Sequence, residues 1–242
     1  MVERGPGPSS SRWPIRQTGD VPAPDEMPPA TVLVVDDETA LAAMVCTYLE
    51  RAGYRTQRVT TGPEAVRRAR EAAPDVIVLP NHRNVVLAAE QAGAISRATL
   101  HIAPAATLVQ GIAAAMAFDP DETASTNLAA MAAAAAAVRT VEVAVATADR
   151  TSDGIAVREG QALALLDGRL VAAVASAAEA LAAGIAAASP GRGSLVTLYA
   201  GETVGDEELE RTTAMIRDQF PAVEVEALRG DQPLYVYIAS IE

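Results

Sequence analysis

Residues 31–79 decide the fold class, and they read TVLVVDDETALAAMVCTYLERAGYRTQRVTTGPEAVRRAREAAPDVIVL. Three short apolar or β-branched runs of strand type alternate here with two longer stretches in which apolar side chains recur at helical spacing. In chain order these segments are 31–35, 38–51, 54–59, 61–73 and 75–79. Strands that alternate with helices of this length are joined by right-handed crossovers and form a parallel sheet. The stretch therefore predicts a βαβαβ unit, and ligands would lie at the carboxyl ends of its strands.

The remainder of the chain continues as a mixture of helices and strands. Helices are predicted at 85–96, 110–118, 124–138, 176–188 and 206–220. Strands are predicted at 99–102, 140–148, 155–159, 162–173, 194–199, 223–228 and 234–241. The turn sequence Asp167-Gly168 interrupts one of these strands and predicts a hairpin. A second turn sequence, Gly230-Asp231-Gln232-Pro233, predicts that the last two strands pair with each other.

These elements predict an α/β protein in which a parallel-sheet βαβαβ lobe is followed by a smaller α/β lobe with hairpins. We expect the first lobe to cover residues 30–145 and the second to cover residues 146–242. Residues 1–29 are rich in proline, glycine and serine and show no hydrophobic period. This composition predicts a disordered tail.

Charge and composition exclude several classes of function. The 242 residues carry 31 acidic and 19 basic side chains, a net charge of -12, and every basic residue is arginine. Without lysine there is no Schiff-base or phosphate-loop ammonium, and without a concentrated basic face nucleic acid is not an expected partner.

The single cysteine, Cys46, cannot form an internal disulfide. No apolar run approaches the roughly 20 residues that span a bilayer. We therefore expect a cytoplasmic protein without a membrane span.

An acidic pair, Asp36-Asp37, follows the first strand. Two carboxylates at a strand end are hard oxygen ligands suited to Mg²⁺, so this pair is a candidate metal site. The alternative is a strand-to-helix turn in which Asp37 caps the following helix. No other cofactor is expected.

The first half of the chain resembles part of a known fold. Val32-Leu33-Val34-Val35-Asp36-Asp37-Glu38, with Gly53-Tyr54 and Gly62-Pro63-Glu64-Ala65 further on, resembles the first half of a response-regulator receiver domain. In that family the paired acids hold Mg²⁺ beside a phosphoaccepting aspartate at the end of the third strand. That position is occupied here by Pro80. The resemblance thus implies a degenerate signalling module that does not take part in phosphorelay.

A second and longer resemblance covers about residues 75–242. The segments that carry it are 76–84, 88–92, Gln110-Gly111, 117–120, Asp149 with Asp153-Gly154, Gly201-Glu202 and Gln232-Pro233-Leu234-Tyr235. In order and spacing this set is similar to the carboxyl-terminal region of the A-type subunit of fatty acid kinase, a family also described as dihydroxyacetone-kinase-like proteins. Two departures stand out. Thr107-Leu108-Val109 replaces the family's Ser-Ile-Pro, and Gly230-Asp231 replaces a double glycine.

The second resemblance implies a region that docks an acyl-binding, DegV-like protein subunit. In the family a kinase domain that binds ATP precedes this region, and residues 1–242 contain no recognisable counterpart. We therefore expect a chain that is non-catalytic by itself, with the acyl-binding protein and a separate kinase domain as its partners.

A third alternative is an enzyme that acts on a small phosphorylated or acyl ligand at the strand ends. The candidate partner-binding or ligand-binding positions, taken from the motifs, are Asn81, Arg83, Asn84, Glu90, Gln91, Gln110, Asp153 and Gln232.

Several of these positions also have structural interpretations. Asn81 and Asn84 could satisfy local backbone groups and cap the next helix. Asp153 precedes Gly154 where a chain leaving a strand needs turn residues. Gln110 could simply belong to a helix start. The sequence leaves these alternatives open.

Overall fold

The computed structural model describes residues 31–36, 39–51, 53–72, 75–80, 85–86, 89–91 and 99–242. The strands are β1 (Thr31–Val35), β2 (Arg55–Val59), β3 (Asp75–Val78), β4 (Thr99–Ile102), β5 (Arg139–Val145), β6 (Arg150–Ser152), β7 (Ile155–Val157), β8 (Ala162–Leu166), β9 (Arg169–Val174), β10 (Leu195–Ala200), β11 (Glu224–Arg229) and β12 (Tyr237–Ile241). The helices that are described over their whole length are α1 (Thr39–Arg51), α2 (Gly62–Ala72), α3 (Leu108–Met116), α4 (Ala124–Ala137), α5 (Ala177–Ala188) and α6 (Asp206–Gln219). The α/β class predicted from the sequence is confirmed.

The amino-terminal part contains two parallel strand pairs. Strand β1 pairs with β2, and Thr31 lies opposite Arg55. Strand β3 pairs with β4 in the same sense. Of the helix predicted at 85–96, residues 85–86 and 89–91 are helical, and the rest lies outside the described residues, as does the predicted tail 1–29.

The carboxyl-terminal part is built on a six-stranded mixed sheet with the order β11-β10-β12-β5-β8-β9. Within this sheet only β10 and β11 are parallel, and the other neighbouring strands are antiparallel. The predicted pairing of residues 223–228 with residues 234–241 is wrong, because β10 lies between β11 and β12. The α6 crossover places β11 on the outer side of β10, and the chain then returns to the inner side of β10 as β12.

The predicted hairpin at Asp167-Gly168 is confirmed as the β8–β9 turn. Asp167 has a φ of 50°, and its Oδ1 accepts a hydrogen bond of 2.9 Å from the main-chain N–H of Thr140. Through β8, this turn is joined to β5, which also pairs with β12. The lobe boundary near residue 145 stays a prediction, and β5, which that prediction assigns to the first lobe, is a strand of the six-stranded sheet.

Both faces of the six-stranded sheet are covered. On one face α5 and α6 enclose the main core, whose members are apolar and mostly below 5% exposed, among them Val141, Val143, Leu181, Ile185, Val196, Leu198, Ile216 and Tyr237. On the other face α3 packs over Tyr199 and Ile238, and the β6–β7 hairpin packs over Leu163 and Leu170. The alanine-rich α4 packs closely on α3, because Ala135 and Met131 meet Ala114.

Helix α3 also joins the amino-terminal part to the sheet. Val45 and Leu49 of α1 pack against Ala115. The Tyr54 hydroxyl donates to the carbonyls of Ala115 and Phe118, at 3.1 and 3.0 Å. Burial of this phenol, with a smaller contribution from Asp119, raises its pKa. Among the described helices, none is both long enough and apolar enough to cross a membrane.

Candidate functional site

The Gln232-Pro233-Leu234-Tyr235 motif forms a loop that leads into β12 and rests on the carboxyl end of β10. Gln232 is 1% exposed, and its Nε2 donates to the main-chain carbonyl of Tyr199 at 2.9 Å. Its own main-chain carbonyl accepts from the Glu202 N–H at 3.1 Å. The N–H groups of Gly230 and Asp231 both bind the Ala200 carbonyl. These bonds fix the loop, residues 230–235, to the end of the strand.

Two glycines of this region allow close contacts, with neighbouring main chain at Gly201 and with the Gln232 side chain at Gly230. A Cβ on Gly201 would overlap the main-chain carbonyl of Tyr235 and lie 2.8 Å from that of Gln232. A Cβ on Gly230 would overlap Gln232 Oε1. At Gly201 only glycine leaves enough room, since any other residue adds a carbon that would overlap main-chain carbonyls.

Gln232 Oε1 is buried and, within the described residues, is the one buried side-chain nitrogen or oxygen atom without a hydrogen-bond partner. An unpaired buried acceptor costs about 1–3 kcal/mol. The amide therefore holds the loop through its nitrogen and keeps an unused accepting capacity at its oxygen.

The loop presents one apolar side chain outwards. Leu234 is 71% exposed, the largest exposure of any large apolar side chain among the described residues. Its neighbour Tyr235 is partly buried against the cluster of Val109, Tyr199 and Ile238. Since Gln232 and Tyr235 are both anchored, Leu234 projects from a fixed main chain.

Gln110 supports the same apolar cluster from the α3 side. Its Oε1 accepts from the Ala106 N–H at 3.0 Å, and its Nε2 donates to the Val138 carbonyl at 3.2 Å. The adjacent N-cap residue, Thr107, forms a hydroxyl–hydroxyl bond of 2.7 Å with Thr140 of β5. The structure thus brings Gln110 and Gln232 to one cluster, where each amide binds main chain.

Asp153 lies elsewhere, in the β6–β7 turn. It has a φ of 50°, and its Oδ2 accepts from the Leu170 N–H at 3.0 Å. Asp149 likewise accepts from the Glu159 N–H at 2.7 Å. Both carboxylates therefore hold turns, as the structural interpretation of the sequence expected.

The remaining candidate positions either lie on an exposed helix surface or fall outside the described residues, apart from Asp36. Glu90 and Gln91 are helical and exposed, whereas Asn81, Arg83, Asn84 and Asp37 lie outside the described residues. The Asp36 N–H donates to the Val59 carbonyl at 3.1 Å. No group of three possible metal-binding side chains occurs in the part of the chain that the structure describes. A Mg²⁺ site at Asp36 and Asp37 stays a prediction.

Two charged residues that the sequence did not single out lie at the start of the loop and in β5. Arg229 binds the Val204 carbonyl and pairs with Asp206 and Asp231 at 3.5 and 3.3 Å, so it ties the start of the loop to α6. Glu142 lies opposite Ile238 on the α3 side of the sheet. Burial, and to a lesser extent Asp167, raises the pKa of its carboxyl. Side chains alternate between the two faces of a strand, so Glu142 lies on the same face of β5 as Thr140. This alternation is the feature of the sequence that could have identified Glu142.

Comparison with known proteins gives a family match over most of the chain. The model for the C-terminal region of FakA-like proteins, the A-type subunits of fatty acid kinase, matches residues 48–242. Protein YloV of Bacillus subtilis is 32% identical over 170 residues, which are 70% of this chain and 31% of YloV. The chain thus spans about three tenths of the length of the relatives it matches. Because the family match begins at residue 48, it includes much of the receiver-like stretch and lends no support to phosphorelay.

Solved structures share the fold at low sequence identity. A DegV family protein from Corynebacterium glutamicum superposes with a TM-score of 0.58 at 12% identity, covering 89% of this chain and 97% of its own. The Streptococcus pneumoniae fatty acid kinase B3 protein, solved loaded with linoleic acid, gives a TM-score of 0.50 at 14% identity and covers 75% of this chain and 76% of its own. The DegV-like fold therefore includes the amino-terminal strands as well as the six-stranded sheet.

Proposed function

The chain belongs to the family formed by the C-terminal region of FakA-like fatty acid kinase proteins, and from this membership we propose that it is a docking module for an acyl-binding protein of the DegV type. The bound acyl group would be phosphorylated by a kinase domain that residues 1–242 do not include. We place this activity in the cytoplasm.

The observation that carries the proposal is the fixed loop that presents Leu234. Exposed apolar side chains on a preorganised main chain are favourable anchors for a partner, because little conformational freedom is lost on binding. Leu234 is 71% exposed, and Gln232 and Tyr235 hold the main chain on either side of it.

The chemistry of the site favours binding over catalysis. Gln232 Nε2 and both amide atoms of Gln110 bind main-chain groups. Asp153 is likewise occupied by a main-chain N–H. Side chains whose polar atoms hold the fold in this way are suited to shaping a surface and are poorly placed to transfer protons.

The proposal is tested by calorimetric titration of the purified chain with a DegV-type protein loaded with a fatty acid, at low and at high salt. We expect saturable binding, and we expect Leu234→Ser to weaken it by about tenfold, the loss of roughly 1.4 kcal/mol that one apolar anchor supplies. Absence of binding by a chain with an intact folded spectrum would overturn the proposal.

A matched control separates docking at the loop from a general loss of apolar surface. Val66 of α2 is also exposed, at 47%. Val66→Ser should leave the affinity unchanged. Equal effects of the two substitutions would show that the loop is not the docking surface.

A further inference from the structure

Strand β11 is an outer strand of the six-stranded sheet, and part of its main chain faces away from that sheet. The N–H groups of Glu224 and Gly230 bind the carbonyls of Ser194 and Ala200. Because main-chain groups alternate in direction along a strand, those of Val225, Ala227 and Arg229 point to the open side. Of these, the Val225 carbonyl accepts from Arg217 Nη2 at 2.7 Å. In the part of the chain that the structure describes, nothing binds the N–H or carbonyl of Ala227.

A groove runs beside this open edge, between α6 and β11. It has a volume of about 340 Å³ and is lined by Leu209, Glu210, Thr213, Arg217 and Ala227. Leu209 and Thr213 are nearly buried and form the floor, and the Thr213 hydroxyl is turned to the Leu209 carbonyl of its own helix. A side chain from a strand added to the edge would enter the groove if it pointed to the α6 face of the sheet.

The opposite face of the same edge is acidic. Glu224 and Glu226 are exposed and point to this face, since they alternate with Val225, which is buried in the core under α6. The wider segment 202–231, which includes α6 on the groove side, holds nine acidic and three basic side chains. Arg211 and Arg229 already pair with Glu207, Asp206 and Asp231. The edge therefore carries negative charge that no described side chain neutralises.

We propose that β11 accepts an added strand from another polypeptide, an extended segment in which basic side chains alternate with apolar ones. The main chain of that segment would bind the Ala227 edge, its apolar side chains would enter the groove, and its basic side chains would face Glu224 and Glu226. Strand addition takes its affinity from main-chain hydrogen bonds and its specificity from alternate side chains. The inference does not depend on the docking loop or on an acyl-binding partner.

The probe is a short synthetic peptide of alternating valine and lysine with blocked ends. Its binding to the full chain is followed by fluorescence anisotropy. We expect saturable binding that weakens at high salt, together with slower hydrogen exchange at Ala227. A peptide of alternating valine and glutamate is the control. Equal binding of the two peptides, or no binding of the lysine peptide, would overturn the proposal.

Two variants locate the site. Glu224→Gln with Glu226→Gln, on an exposed surface where the fold should be unaffected, should weaken binding about threefold to tenfold, in line with exposed ion pairs. Ala227→Pro removes one N–H from the open side and leaves the bonds to β10 in place, so it should abolish strand addition. If this proline instead removes a concentration-dependent dimer seen by sedimentation, the occupant is a second copy and the proposal is wrong. Unchanged peptide affinity in the two variants would likewise contradict it.

Discussion

At the scale of single residues, Gly201 sets how closely β10 and the 230–235 loop approach. An alanine Cβ there would overlap the Tyr235 carbonyl, which belongs to main chain and cannot rotate away. Gly201→Ala should lower the free energy of unfolding by about 1–3 kcal/mol, measured by urea denaturation. A Cβ on Gly62 meets nothing within 4 Å, so Gly62→Ala is the control and should not destabilise. Equal stability of the two variants would contradict the close contact.

Glu142 gives the stability of the sheet a specific pH dependence. Burial raises the pKa of its carboxyl above the unfolded value of 4.5, so the charged form is disfavoured in the folded protein. The stability associated with this group is therefore complete below about pH 4 and declines as pH rises through the folded pKa. Glu142→Gln should match the wild type in acid and be more stable at neutral pH, in thermal unfolding at several pH values. A difference that does not vary with pH would refute this assignment.

The sequence named candidate positions, but it could not predict what their side chains contact. The motifs named Gln110, Asp153 and Gln232, and the structure places Gln110 and Gln232 around one cluster. Whether an amide faces a partner or its own main chain depends on folding geometry that spacing does not encode. The exposure of Leu234 was not predictable either, because an apolar residue in a motif is usually assigned to the core.

At the scale of elements, Tyr54 caps the carboxyl end of α3. Its hydroxyl binds the Ala115 carbonyl, in the last turn of α3, and the carbonyl of Phe118, just beyond the helix, so it fastens the chain after α1 to the end of α3. Tyr54→Phe should lower the free energy of unfolding by about 1–3 kcal/mol and speed hydrogen exchange near the end of α3. Thr47→Ala removes an exposed hydroxyl bound to a carbonyl of its own helix and should change stability by less than about 0.5 kcal/mol. Comparable losses in both variants would argue against the cap.

The elements were predicted far better than their pairing. Hydrophobic period and turn residues placed α5, α6 and the β8–β9 hairpin within a few residues. The same turn chemistry at Gly230-Asp231-Gln232-Pro233 suggested a hairpin that does not exist. A turn sequence shows that the chain changes direction, but it does not identify the neighbouring strand. In this sheet β10 lies between β11 and β12 and is hydrogen-bonded to both. These pairings join segments that are distant in sequence, so the local turn residues do not reveal them.

At the scale of the whole molecule, α1 and α3 join the amino-terminal strands to the six-stranded sheet. Leu49 is 2% exposed and packs in the cluster that contains Ala115. Helix α3 in turn packs on Tyr199 and Ile238 of the sheet, so a defect at Leu49 should reach the carboxyl-terminal part. The receiver-like stretch is thus a packed component of the fold, in agreement with the family match from residue 48.

Cooperative unfolding of the whole molecule is the test of this packing. Leu49→Ala leaves a buried cavity and should lower the free energy of unfolding by about 2–5 kcal/mol in a single transition. The main-chain amides of β12, which is far from Leu49 in sequence, should exchange with solvent faster by the factor that corresponds to this loss of unfolding free energy. Val66→Ala, at a 47% exposed position of α2, should change stability by less than about 0.5 kcal/mol. Two separate transitions, with β12 as well protected as in the wild type, would show that the contacts of α1 with α3 do not couple the two parts.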